Sequence, residues 1–276
     1  MQGCGNDYVY INCFDENNRK NINDPGNLAR IISNRHYGIG SDGLILIEPA
    51  KNKNADAFMN MFNADGSQGN MCGNGIRCVA KYIYDHGLID KSKSKNFVNI
   101  DTRAGIKNIK LEIENEKVKL ATVNMGQAEI TSDIPENILI QDLNLKFIGV
   151  NTGNPHAVYF FDDNEILKEI DYISLGKYFE NHKRFLPERV NSEFIKILSR
   201  NEINMRVYER GSGETLACGT GAVASAFAGY VSGKLNNEVI VHLRGGDLKI
   251  KIMPDNHCYM TGPAVEVFSG EFDFNL

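Results

Sequence analysis

Short apolar runs alternate with glycine- and asparagine-rich turns along the whole chain. Val9 to Phe14, Leu44 to Glu48, Ala57 to Phe62, Val118 to Val123, Ala157 to Phe161 and Val239 to Leu243 have the β-branched and aromatic content of strands. Helical spacing is confined to fewer places. Asp24 followed by Pro25 predicts an N-cap and a first helical position, with a helix to about Asn34. Ile76, Val79, Ala80 and Ile83 recur at helical spacing, and the apolar stretch from Ala222 to Val231 reads the same way. The pattern alternates short strands and helices.

The pattern also repeats. Residues 61–75 read M-F-N-A-D-G-S-Q-G-N-M-C-G-N-G and residues 207–221 read V-Y-E-R-G-S-G-E-T-L-A-C-G-T-G. Each has an apolar-aromatic pair, a polar loop and a terminal Cys-Gly-x-Gly, and each leads into one of the two apolar helical stretches. Those stretches end at Gly87 and Gly233, both 15 residues past their cysteine and both plausible helix C-caps. Arg103-Ala104-Gly105 precedes I-K-L-E-I much as Arg244-Gly245-Gly246 precedes L-K-I-K-I, and Gly5-Asn6 and Gly153-Asn154 each lead into a Val-Tyr segment. Two similar halves with facing cysteine loops are the economical reading. No low-complexity linker separates them, and the boundary is placed near Leu120.

Length and composition narrow the function only by exclusion. With 276 residues, two domains are expected. A net charge of −5 with acids and lysines interleaved argues against a nucleic-acid partner, which would call for a basic stripe. The first twenty residues contain Asp7, Asp15 and Glu16 and no apolar core, so no secretory signal is expected, and no run is long enough to span a bilayer. A cytoplasmic protein with reduced thiols follows as the expectation. Six cysteines without a Cys-x-x-Cys and scattered histidines give no zinc signature.

Gly38-Ile39-Gly40-Ser41-Asp42-Gly43 fits the letters of a dinucleotide fingerprint but not its setting. That motif needs a strand before it and a helix after it, and here the order is reversed. The twin Cys-Gly-x-Gly elements are stronger. A cysteine just before a helix sees unpaired backbone N–H groups and the positive end of the dipole, which lowers a thiol from about 8.5 to roughly 3.5–7.5. The same N–H groups can hold a carboxylate. One copy alone is better read as an inert buried thiol. Two copies in matching loops favour chemistry at Cys72 and Cys218: inversion of a carbon needs one group to remove a proton and another to deliver one to the opposite face. A disulfide between the two loops is the remaining alternative. Cys78 on the helix reads as a core thiol, and Cys4, Cys13 and Cys258 read as structural. His156, after Gly153-Asn154-Pro155, is a candidate to tune a thiol. Glu209-Arg210 stands nine residues before Cys218, where Asn63-Ala64 precedes Cys72, and substrate contact is the better reading of both.

These residues resemble the diaminopimelate epimerase family over essentially the full chain. The matching elements are G-N-D-Y-V (5–9), R-H-Y-G-I-G-S-D-G (35–43), F-N-A-D-G-S (62–67), M-C-G-N-G-I-R-C (71–78), G-N-P-H (153–156), P-E-R-V-N (187–191) and E-R-G-S-G-E-T-L-A-C-G-T-G (209–221). The resemblance implies an α+β fold of two pseudo-symmetric domains, each a mixed β-sheet curled into a barrel around a central helix. The domains are expected at 1–119 with a C-terminal return strand 263–276, and at 120–262, with the active site in the cleft between them. It also implies interconversion of LL- and meso-diaminopimelate without pyridoxal phosphate or metal, in lysine and peptidoglycan-precursor synthesis. Cys72 and Cys218 would be the acid–base pair, with His156 and Glu209 modulating the thiols. Asn6, Asn63, Asn154, Asn191, Glu209 and Arg210 would contact substrate, and Gly73, Asn74, Gly219 and Thr220 would grip the carboxylate at the reacting centre.

A homodimer is implied, with Phe268 at its contact. The family begins several residues earlier with a strand, and Met1 stands where a later methionine would, which leaves open whether Met1 is the true start or an N-terminal strand is missing. Some members have a glutamine where this chain has Gly43, and no side-chain role passes to that position. Two alternatives stay open. A proline racemase-like enzyme shares the opposed cysteines, although that group has histidine where this chain has Asn74. A thiol redox sensor would explain the paired cysteines but not the polar residues around them.

Overall fold

A computed structural model describes residues 1–90, 96–140, 143–161 and 171–273. The chain divides into two compact units, one of Met1–Val123 with Gly262–Leu276 and one of Asn124–Thr261.

The first unit contains strands β1 (Gln2–Gly3), β2 (Asn6–Asp7), β3 (Val9–Asn12), β4 (Gly43–Glu48), β5 (Ala57–Asn63), β6 (Phe97–Asp101), β7 (Lys107–Glu114) and the start of β8 (Lys117–Gln127). Its helices are α1 (Glu16–Lys20), α2 (Pro25–Ser33) and α3 (Gly73–Asp85). The second contains β9 (Glu129–Ile130), β10 (Glu136–Ile140), β11 (Leu143–Asn151), β12 (Pro155–Phe161), β13 (Asn191–Ser199), β14 (Glu202–Glu209), β15 (Gly213–Glu214), β16 (Glu238–Leu243), β17 (Gly246–Ile252) and β18 (His257–Pro263). Its helices are α4 (Tyr172–Glu180) and α5 (Gly219–Val231). No described helix is long and apolar enough to cross a membrane.

The repeat seen in the letters is a repeat of topology. In the first unit β3 is parallel to β4, β4 antiparallel to β5, β5 parallel to β6, and β6–β7–β8 are antiparallel. In the second, β12 is parallel to β13, β13 antiparallel to β14, β14 parallel to β16, and β16–β17–β18 are antiparallel. The second unit adds β10 and β11 beside β12. Each parallel first pair needs a crossover, and a helix supplies it. In the first unit α2, capped by Asp24 and begun by Pro25, packs Leu28, Ala29 and Ile32 on Leu44, Leu46 and Phe62. In the second, α4 packs Phe179 with Tyr159 and Phe194.

The other face of each sheet curls around the cysteine helix. Helix α5 is buried along almost its whole length and packs on β11, β12, β13, β16 and β17 of its own unit. Six of its thirteen residues are alanine or valine, so an apolar surface all round lets strands close in from several sides. Helix α3 packs on β1, β2, β5, β6 and β7 with Ile76, Val79, Ala80 and Ile83 buried. Both helices begin three residues earlier than the apolar spacing predicts, because the glycines after each cysteine are already in the first turn. Both end in the same Schellman motif. Gly87 and Gly233 take positive φ (67° and 73°), and bonds from Gly87 N to Tyr84 O and Leu88 N to Ile83 O are matched by Gly233 N to Tyr230 O and Lys234 N to Gly229 O.

Candidate active site

Cys72 and Cys218 are the N-cap residues of α3 and α5. Their backbones are nearly superposable in angle, φ −126° and ψ 121° against φ −121° and ψ 112°. Each sulfur accepts from the backbone N–H three residues on, Gly75 and Gly221, at 3.3 Å in both cases. The motif's last glycine is forced by what lies beneath it. A Cβ at Gly75 would stand 2.8 Å from Ile45 Cδ1, and a Cβ at Gly221 would stand 2.7 Å from Glu193 Oε1. Gly73-Asn74 and Gly219-Thr220 occupy the first two helical positions, whose N–H groups lie outside the intrahelical ladder.

In the first unit Cys72 is half-buried, and its S–H donates to Asn6 Oδ1 at 3.3 Å. Asn6 Nδ2 in turn donates to Asp42 Oδ2 at 2.7 Å. Arg35 bridges Asp42 and Asp7, at 3.0 and 2.8 Å. Burial, followed by the Asp7 charge, pushes the Asp42 carboxyl up. Asn74 is buried with Oδ1 accepting from Arg77 Nη1 at 3.0 Å, so its side chain braces the helix start. Asn63, at the end of β5, is exposed and donates to Ser67 Oγ at 2.9 Å. At Gly43 a Cβ would meet Phe62 O at 2.2 Å, so the backbone there admits no side chain without moving.

The second unit builds the same frame with more charge. Cys218 is 5 % exposed, with Thr220 Oγ1 at 3.4 Å and the Glu209 carboxylate close enough for its charge to act on the thiol. Glu209 accepts from Thr215 Oγ1. Asn191, buried at the head of β13, donates from Nδ2 to Pro155 O at 3.2 Å and accepts from Arg210 N at 2.8 Å. The Arg210 guanidinium donates to Glu188 O. Asn154 Oδ1 lies 3.0 Å from His156 Nε2. His156 does not reach a thiol through any of these bonds; its Nδ1 lies 2.7 Å from Glu193 Oε1.

The helix-start argument that lowers a thiol pKa does not hold for Cys218. Burial pushes it well up, and the charges of Glu209 and Glu193 add to that rise. Desolvation and two nearby carboxylates outweigh the end of one dipole. Burial also pushes Glu209 up, so a buried acid and a buried thiol lie side by side. The remaining cysteines are core groups. Cys4, Cys13, Cys78 and Cys258 are buried, and burial raises Cys13 and Cys258 to about 11.

Glu193 carries no mark in the sequence that distinguishes it from a solvent-facing strand residue. Its neighbours Ser192, Phe194 and Ile195 are buried as well, so β13 is covered on both faces. The repeat is the one signal that could have found it. Asn191 heads β13 as Gly43 heads β4, so Glu193 falls where Ile45 stands, and His156 falls where Tyr8 stands.

The profile of the diaminopimelate epimerase family matches residues 1–131 and 148–267. The chain is similar to the diaminopimelate epimerases of Agathobacter rectalis (49 % identical, covering 99 % of this chain and 98 % of that one) and Brachyspira hyodysenteriae (44 %, covering 98 % and 96 %). Among solved structures it resembles a hydroxyproline epimerase from Agrobacterium vitis, with TM-score 0.68 at 16 % identity over 88 % of this chain and 79 % of that one. A methylitaconate-delta-isomerase aligns over 98 % of this chain and 96 % of its own length at TM-score 0.61 and 11 % identity. These distant structures establish the fold.

Proposed function

The chain belongs to the diaminopimelate epimerase family, and from that premise we propose that Cys72 and Cys218 are the acid–base pair of a two-base epimerisation. The enzyme interconverts LL- and meso-diaminopimelate at one α-carbon. The observation that carries the reading is the pair of cysteine N-caps, alike in backbone angles and in the N–H each sulfur accepts, at the starts of two repeated helices.

The proton balance is simple. A thiolate on one face takes the α-proton and becomes a thiol, leaving a carbanion conjugated with the carboxylate. The thiol on the other face gives up its proton to that carbon and becomes the thiolate. The enzyme ends with the two thiols exchanged in state, and reaction from the other epimer restores them. The carboxylate gathers negative charge in the transition state, and the helix-start N–H groups of Gly73, Asn74, Gly219 and Thr220 are the donors suited to it.

Side chains then divide the remaining work. Glu209, whose charge acts on the Cys218 thiol, is the group placed to take its proton and return it. Asn6, Asn63, Asn154, Asn191 and Arg210 contact the substrate, with Arg210 suited to the carboxylate at the far amino-acid end. His156 acts on the thiol chemistry through its neighbours. We place the enzyme in the cytoplasm and as a homodimer. Phe268, 66 % exposed next to the 61 % exposed Val267, supports an apolar contact there. The test is turnover: the purified protein should interconvert LL- and meso-diaminopimelate and leave L-proline unchanged. Racemisation of proline with no action on diaminopimelate would move the assignment to a proline racemase-like enzyme.

A further inference from the structure

We propose that Glu193 is a positioning residue that acts through His156 to hold the Asn154 amide with its oxygen turned inward and its N–H2 presented to a carboxylate of the ligand. The inference rests on the reading above that Asn154 contacts substrate. Glu193 Oε1 lies 2.7 Å from His156 Nδ1, and both side chains are completely buried. His156 Nε2 then faces Asn154 Oδ1 at 3.0 Å, and Thr152 Oγ1 donates to the same oxygen at 3.4 Å. With two donors on its oxygen, the amide of Asn154 has only N–H groups left to offer.

Packing alone does not account for an acid at this place. The equivalent site in the first unit is filled by Ile45, which lies against Gly75 as Glu193 lies against Gly221. The residue equivalent to His156 there is Tyr8. An isoleucine and a tyrosine are therefore enough to fill the space under a cysteine helix. In the second unit the same space holds a carboxylate whose Oε2 is buried without a hydrogen-bond partner among the described residues. A buried oxygen left unsatisfied is destabilising, so something other than packing retains it. The imidazole supplies the reason: Nδ1 faces a carboxylate oxygen and Nε2 an amide oxygen, both of which only accept, so the Glu193 charge favours the ring with a proton on each nitrogen and Nε2 donates to Asn154.

The amide of Asn154 is the part that meets the ligand, so the effect should appear in binding. Substituting Glu193→Gln keeps the shape and removes the charge. A neutral ring then carries its proton on Nδ1, donated to the glutamine oxygen, and Nε2 becomes an acceptor that turns the Asn154 amide around. The experiment pairs ¹⁵N-edited imidazole spectra of His156 with kinetics on LL-diaminopimelate. Wild type should show a proton on Nε2. E193Q should lose it, with KM raised about tenfold or more and kcat changed less than threefold.

An Nε2 that carries no proton in wild type overturns the proposal. So does an E193Q enzyme with Nε2 protonated and KM unchanged. If E193Q fails to fold, the wild-type spectrum decides. A wild-type protein that shows the Nε2 proton but does not turn over diaminopimelate contradicts the assigned activity and leaves Glu193's hold on His156 standing.

Discussion

Asn6 and Asn154 hold equivalent places in the two units, each two residues before the residue that faces the head of the neighbouring parallel strand (Tyr8 at Gly43, His156 at Asn191), yet their side-chain amides are fixed in opposite senses. Asn6 gives its N–H2 to Asp42 and leaves its oxygen for the Cys72 S–H. Asn154 gives its oxygen to His156. A carboxylate can only accept and a doubly bonded oxygen can only accept, so the neighbour decides which end of each amide faces outward. One duplicated position thus serves as an acceptor beside a thiol in one unit and as a donor in the other.

The Asn6 orientation depends on Asp42. Substituting Asp42→Asn removes the obligate acceptor, frees the amide to turn and takes away the oxygen that Cys72 donates to. We expect kcat/KM to fall about tenfold, the loss of roughly one hydrogen bond to a charged group, with little change in thermal midpoint because Asp42 is only half-buried. Steady-state kinetics with circular dichroism melting measure both. A D42N enzyme of unchanged kcat/KM would show that the amide is held by something else.

The two motif-ending glycines should differ in their tolerance of a methyl group. At Gly75 the obstacle is the Cδ1 end of Ile45, which can rotate away. At Gly221 it is the carboxylate oxygen already bound to His156, with Cys218 Sγ at 3.3 Å. Gly221→Ala is expected to destabilise by about 1–3 kcal/mol and to cost activity, and Gly75→Ala by less than half of that. Urea unfolding of the two variants decides it. Equal destabilisation would contradict the difference.

Cys218 carries a pH dependence whose sign follows from its environment. The folded protein holds the thiol protonated above the unfolded value of about 8.5. The native state therefore binds more protons than the unfolded state as pH rises past that value. Stability contributed by the protonated thiol is present below about 8.5 and is lost as pH climbs toward the folded value. Cys13 and Cys258, raised to about 11, act in the same direction. Urea midpoints between pH 7 and 10 should fall with pH, and Cys218→Ser should flatten the slope. A slope unchanged in that variant would mean the thiol is not held protonated.

Accessibility separates the two cysteines in reactivity. Cys72 is half-buried and Cys218 is 5 % exposed with its thiol pushed up. Limited iodoacetamide at neutral pH is expected to label Cys72 well ahead of Cys218, as read by peptide mass spectrometry. Faster labelling of Cys218 would contradict the burial described for it.

Much of the frame was legible in the residues. Asp24-Pro25 marked the start of α2, the twin Cys-Gly-x-Gly elements marked two equivalent helix starts, and Gly87 and Gly233 marked their ends, because caps and turns are local chemistry. The first turns of α3 and α5 were not legible: glycine has low helical propensity, and only the close approach of Ile45 and Glu193 explains why it is there. Glu193 was hidden because S-E-F-I-K-I reads as an ordinary strand, and its burial depends on register with β12 and on a helix from later in the chain. The rise at Cys218 was missed for the same reason. The dipole is a local property that sequence can foresee, whereas two carboxylates and burial are brought to the sulfur by tertiary structure.

Isotope exchange reports whether both thiols act on one carbon. Wild-type enzyme incubated with meso-diaminopimelate in D₂O should place deuterium at one α-carbon as epimer forms, and L-proline should stay unlabelled. Cys72→Ala and Cys218→Ala should each fold, with the lost cap costing about 1 kcal/mol or less, and each should abolish epimerisation. Near-normal formation of labelled epimer by either variant would contradict the two-base account.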